Sequence, residues 1–205
     1  MNKAIHGAFR RDLQRFDDAL ATFPAGDSKR AEQLHAAWVN FDDQLVHHHE
    51  GEHEISWPAL AAVGVSRELL AKMDTEHDTM AAALTAARAA MDTLRRTASA
   101  EDAKAARAAM QELQTVTVLH LEHEEAEIDP VYLAKKDTPE IKAMGRKFGQ
   151  VSPARGGRFF AWVTDGASPD ELAAITGTIP APVFAVINGV FGRGYRRNIA
   201  PVWRS

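Results

Sequence analysis

The sequence contains no cysteine. Disulfides, zinc ribbons, iron–sulfur clusters and thiol catalysis are excluded with it. It also has no run of roughly 18 apolar residues, the length that a membrane-crossing helix needs. "FRRDLQRFDDAL" (Phe9–Leu20) is charged and amphipathic, unlike the apolar heart of a signal peptide. A cytoplasmic protein without a transmembrane segment is therefore expected. No charge of one sign dominates: the net charge is −4, too mild to imply a nucleic-acid partner, and none is expected. The balance is nonetheless uneven. Residues 141–205 hold nine Lys/Arg against three acids, so the rest of the chain is acidic. A basic tail on an acidic body either docks on that body or meets an anionic surface elsewhere.

What is present is helical periodicity. Ile5, His6, Phe9, Leu13, Phe16 and Leu20 recur at three and four, predicting a helix over 2–22. "FPAGDS" interrupts it. Asp27 or Ser28 can cap a second helix reaching about Glu54, with Leu34, Trp38, Phe41, Leu45, His48 and Glu52 on one seam. Pro58 is expected to end it. Ser66 can cap a third helix over 67–96, with Met73, His77, Met80, Leu84, Ala87, Met91 and Leu94 on one face. Ser99 with Asp102 suggests a capping box for a fourth helix over 100–127, seamed by Ala106, Met110, Leu113, Thr117, His120 and Glu124. Four long helices with short connections predict an all-α, up-down-up-down four-helix bundle over residues 1–136. Residues 137–205 read as a basic C-terminal extension of short helices packed on it. "TPEIKAMGRKFG", "SPARGGRFFAWV" and "SPDELAAI" each place Ser or Thr before Pro, as at a helix start. "IPAPVFAVINGVFGRGYRRNIAPVW" is too short and too broken by Pro and Gly to span a bilayer. It covers the bundle, joins two copies in a homodimer, or lies on a membrane surface.

The seams carry a repeat. "HHHEGEHEISWP" (His47–Pro58) and "LHLEHEEAEIDP" (Leu119–Pro130) superimpose at a shift of 72, which sets His48 on His120, Glu52 on Glu124 and Pro58 on Pro130. A shift of 71 sets His6 on His77. The pattern is a duplicated helical hairpin. It points six polar side chains at the core. A buried carboxylate is costly unless paired or bound to a metal. Residues four apart share a helix face, so two facing His-x-x-x-Glu pairs suit two metal ions. His6 with His48 would hold one, His77 with His120 the other, and Glu52 and Glu124 would bridge. Imidazole and carboxylate without thiolate favour iron, manganese or zinc over copper(I). His47, His49, His53 and His123 fall off the seam and read as solvated or as supports behind the ligands; His35 reads as surface. Glu76 and Glu125 adjoin ligands in sequence and can back them or ligate. A bundle whose acids and imidazoles pair without metal is the competing reading.

The ordered set His6, His48-x-x-x-Glu52, His77, His120-x-x-x-Glu124 resembles the haemerythrin family, the haemerythrin HHE cation-binding domain, over residues 2 to about 133. The resemblance implies a four-helix bundle with a non-haem di-iron centre, two iron ions being expected before manganese or zinc. It implies binding of dioxygen or a related small oxidant such as peroxide or nitric oxide, with redox activity open. An iron or oxygen sensor that signals through the C-terminal extension is the alternative. One departure stands out. The oxygen carriers place two histidines four apart on the third helix, whereas Met73 and Ala81 flank His77 here. Thr117, which replaces Leu45 of the other repeat, could donate its hydroxyl to a bound oxidant or to its own helix carbonyl. Together with Glu76 it completes the expected cofactor pocket.

Overall fold

In the computed structural model, which describes residues 1–204, the chain is all-helical, with no strand among those residues. The long helices are α1 (Asn2–Ala21), α2 (Ser28–Gly51), α4 (Arg67–Thr97) and α5 (Ala100–Glu127), with the short α3 (Trp57–Ala62) between α2 and α4. Six further short helices follow: α6 (Asp129–Lys135), α7 (Pro139–Phe148), α8 (Pro153–Val163), α9 (Pro169–Thr176), α10 (Ala181–Val186) and α11 (Arg193–Asn198). A 3-10 turn, Ala200–Arg204, comes last.

Capping oxygens start these helices as the sequence suggests. Asp27 accepts from the Arg30 amide, Ser66 from Leu69 and Ser99 from Asp102, satisfying amides that have no partner inside the helix. Thr138, Ser152 and Ser168 do the same ahead of the prolines that open α7, α8 and α9. Among the described residues only Ser168 with Glu171 forms a complete reciprocal box; Asp102 instead accepts from the Ser99 and Thr97 hydroxyls.

Pro58 does not end its helix. The chain runs from α2 through one π-helical turn, Glu52–Ser56, directly into α3. The wider turn lets the Trp57 amide reach the Glu52 carbonyl, and it relieves the clash that a proline ring makes with the carbonyl four residues back. Pro130 likewise sits in the first turn of α6, one residue beyond α5.

Helix α1 packs on α5 and α2, α2 packs on α4, and α4 packs on α5, which closes a ring of contacts around one core. Phe9, Leu13 and Phe16 from α1 meet Leu34, Trp38, Phe41 and Leu45 from α2 there, with Leu84, Met91, Leu94, Met110 and Leu113 from α4 and α5. A second, smaller cluster gathers Trp57, Leu60, Val65, Leu70, Met73, Ile128 and Ile141. Along α4 and α5 a polar stretch separates the two clusters, and it holds His77, His120 and Glu124.

The later helices lie on this body. Helices α8 and α9 contact α1, and α7 contacts α3. Trp162 is fully buried, with its ring 4.9 Å from Phe9 and its Nε1 donating to buried Asp12 at 2.7 Å. Charge plays an unexpected part in this docking. The cations come largely from the body: Arg15 pairs with Asp165 at 3.2 Å, and Arg11 donates to the Asp165 carbonyl at 2.6 Å. Of the tail's own arginines, Arg155 and Arg158 reach the body, both at Asp43.

Candidate metal centre

Four helices supply the polar stretch. His6 comes from the first turns of α1. His48, His49 and Glu52 come from the end of α2, where the π turn begins. His77 lies on α4, and His120 and Glu124 lie near the end of α5. Their ligating atoms gather into two groups. His6, His48, Glu52 and Glu124 form one; His49, Glu52, His77 and His120 form the other. Within each group the candidate atoms all lie within 4.8 Å of one another.

All six residues of the repeat thus converge, in the pairs His6 with His48 and His77 with His120. Two features differ from expectation. His49 is half-buried and lies inside the second group, stacked on His77 with ring centroids 4.2 Å apart. The two carboxylates are also unequal. Glu52 belongs to both groups, with Oε1 3.0 Å from His48 Nε2 and Oε2 3.4 Å from His77 Nε2. Glu124 belongs to one: its Oε2 is 3.1 Å from His6 Nε2, while its Oε1 accepts from the Asn2 amide at 3.2 Å. Nothing in the sequence marks Asn2 for this role, since an isolated asparagine at a helix start carries no signal for it.

Carboxylates outside the groups orient the rings. Glu125 accepts from His6 Nδ1 at 2.8 Å and is itself held by Arg10 through two hydrogen bonds. Glu76 accepts from His120 Nδ1 at 3.0 Å and from His123 Nδ1 at 2.7 Å. Glu76 therefore stands behind a histidine rather than inside either group. A ring whose Nδ1 donates keeps Nε2 bare for a ligand on the other side, the arrangement that metal-binding histidines adopt. Trp57 stacks on His77 from outside at 5.9 Å, and its Nε1 donates to Asp74, which also meets exposed His53.

The electrostatics favour a cation. Burial pushes Glu124 above the usual carboxylate range, and the nearby Glu52 charge raises it further. Burial works the same way on Glu52, but His48, His77 and His49 outweigh it and hold that carboxyl well below the usual range. Burial and the neighbouring His77 take His120 down to about 4 and His49 well below its ordinary value. Near neutral pH His120 and His49 are therefore uncharged, the form that binds metals, whereas at His6 burial is outweighed by the contacts to Glu124 and Glu125, which raise it above its ordinary value. Five buried atoms of the groups lack any aligned hydrogen-bond partner: Nε2 of His6, His48 and His49, and Oε2 of Glu52 and Glu124. Buried polar atoms are rarely left so. Lone pairs converging on two points from imidazole and carboxylate fit a pair of hard or borderline divalent cations.

One turn further into the core, each helix places a fully buried side chain: Phe9, Leu45, Met80 and Thr117. Three are apolar. The Thr117 hydroxyl has no partner, whereas Thr22, Thr75, Thr79, Thr85, Thr93, Thr97 and Thr115 each donate to the carbonyl four residues back.

Residues 3–144 match the family described as the Hemerythrin HHE cation binding domain, and the chain belongs to that family. The matched region extends past Lys136 and takes in most of α7. Searches of curated proteins and of solved structures gave no match.

Proposed function

We propose that this protein holds two iron ions, one in each His/Glu group, and binds dioxygen or a related small oxidant such as peroxide or nitric oxide beside them. One observation carries the reading: two groups of imidazole and carboxylate donors share Glu52, and five of their buried lone-pair atoms have no aligned hydrogen-bond partner. His6, His48, Glu52 and Glu124 would hold one ion; His49, His77, His120 and Glu52 the other. Manganese or zinc would suit the same donors less specifically. Iron in such a centre supplies open coordination positions and one-electron redox chemistry. The chain's own residues do the rest. Glu125 and Glu76 fix two ring orientations, Phe9, Leu45 and Met80 exclude water, and Thr117 offers a hydroxyl to the oxidant. His49 supplies a fifth imidazole, as Met73 and Ala81 cannot. In the same reading the four long helices run up-down-up-down as one domain through about residue 136, with 137–205 as its extension.

Elemental analysis with an optical spectrum tests this. About two irons per chain and a visible absorption band that responds to peroxide are expected; His120→Ala, which removes a donor from one group only, should leave about one iron and abolish the band. Protein from iron-replete cells that carries no metal would overturn it.

A second reading, a sensor that signals through the extension, is favoured by one path of contact. Phe9 touches His48 (5.3 Å between centroids) and Trp162 of α8 (4.9 Å), so packed rings join the centre to the extension. Limited proteolysis of residues 137–205 should then differ between iron-loaded and metal-free protein; identical cleavage would count against it.

A further inference from the structure

The sequence from Leu172 to Gly192 contains no charged residue, and Arg193, Arg196 and Arg197 follow it at once. The structure explains only half of that apolar content. Phe184 and Ile187 turn inward: Phe184 meets Phe160 of α8 at 5.4 Å, and a Cβ added at Gly157 would collide with Phe191 and the Ile187 carbonyl, so α8 receives this segment closely. The other half faces out. Val183, Val186 and Val190 follow one another at three and four along α10 and the π turn Ile187–Phe191, and they are 43%, 58% and 48% exposed. Leu172 on α9 and Phe191 are also exposed. Lone exposed apolar residues need no explanation, but a continuous stripe does.

The charge beside the stripe identifies what it meets. Arg196 is occupied, donating to the Asn188 side chain and the Gly189 carbonyl and so bracing the π turn. Arg193 and Arg197 are exposed, one helical turn apart, and neither has a partner among the described residues. No single helix is long and apolar enough to cross a membrane. Helix α9 and the segment Ala181–Phe191 reach that apolar content only together, and they are bent by 109° at the break. A hairpin so bent suits lying in a surface rather than passing through it. A second copy of the chain is the poorer occupant. In a two-fold pair the same patch faces itself, and residues 172–197 contain no acid that could answer Arg193 and Arg197.

We propose that the face formed by Val183, Val186 and Val190, flanked by Arg193 and Arg197, docks on an anionic membrane surface. The valines enter the acyl boundary and the two guanidinium groups meet lipid phosphates. The apolar contact and the anionic charge are both required, as for other interfacial helices. The docking is independent of the metal centre.

Sedimentation with vesicles tests it, using the full chain as purified. With phosphatidylglycerol vesicles at low salt the protein is expected to pellet, and with phosphatidylcholine vesicles to stay in the supernatant. R193Q/R197Q should weaken the partition by about fivefold per arginine removed. V186D/V190D should abolish it. Both pairs of sites are exposed, and an unchanged circular dichroism spectrum checks that each variant is folded; because the two pairs act through different forces, loss in one variant alone through misfolding leaves the other decisive. No pelleting with either lipid overturns the proposal. So does binding that survives both variants, or a concentration-dependent dimer that V186D/V190D breaks in a protein that ignores vesicles.

Discussion

Glu52 and Glu124 occupy equivalent places in the repeat but have different neighbours. Glu52 faces an imidazole with each oxygen, whereas Glu124 gives one oxygen to Asn2. Glu52→Ala should therefore empty both groups, and Glu124→Ala should leave about one ion per chain; equal losses by elemental analysis would contradict the asymmetry. Behind the two groups, Glu125→Gln and Glu76→Gln should each lower metal affinity by about 10- to 100-fold, measured by competition with a chelator, because they free the ring that each orients. The metal-free protein should also respond to acid. Burial and the nearby His77 hold His120 at about 4 in the folded chain, below its ordinary value of 6.5. Between those values the unfolded chain binds more protons, so stability falls as pH drops through that window. Urea midpoints of metal-free protein at pH 7 and pH 5 should differ, and less so in His120→Gln. Thr117→Val asks a different question. Since the Thr117 hydroxyl is buried without a partner, its removal should leave the metal-free protein equally stable or more stable by about 1 kcal/mol, while weakening azide or nitric oxide binding to the iron-loaded form. A clear loss of stability would mean that the hydroxyl is already bonded.

Among the elements, α8 couples the extension to the body. Its Trp162 fills a fully buried site against Phe9 and satisfies Asp12. Trp162→Ala should cost about 3–5 kcal/mol, the usual range for deleting a buried aromatic, and it also leaves the Asp12 carboxylate short of a donor. Thermal melting reads the loss; a change under 1 kcal/mol would show that α8 is only loosely held. The π turn is the other element with consequences. It keeps the chain helical through Pro58, leads straight from Glu52 to Trp57, and so brings Trp57 over His77. Periodicity could show where the capped helices start, because Ser, Thr and Asp before Pro or an apolar seam have a local mechanism. It could not show this turn, because a wider hydrogen-bond ring leaves no local residue signature beyond the proline itself.

At the scale of the whole molecule, the centre lies between two apolar clusters and draws on all four long helices, so metal binding and folding are linked. A metal that binds only the folded chain stabilises it by about 4 kcal/mol at a thousandfold excess over its dissociation constant. Chelation should lower the melting temperature markedly, and an unchanged melt would support a polar core without metal. The sequence alone determined the four long helices, the inward seams and the six repeated histidines and glutamates, since these rest on local capping, a 3.6-residue period and an internal repeat. Only tertiary structure decided that His49 joins them, that Glu52 is shared and Glu124 is not, that Asn2 closes one side, and that arginines of the body hold the tail. A helical period gives the direction of a side chain to within about one residue's rotation, about 100°, so a seam marks His48 as inward but cannot exclude His49, one step round, until neighbouring helices enclose both. Which oxygen meets which ring, likewise, depends on groups far apart in the chain that only packing brings together.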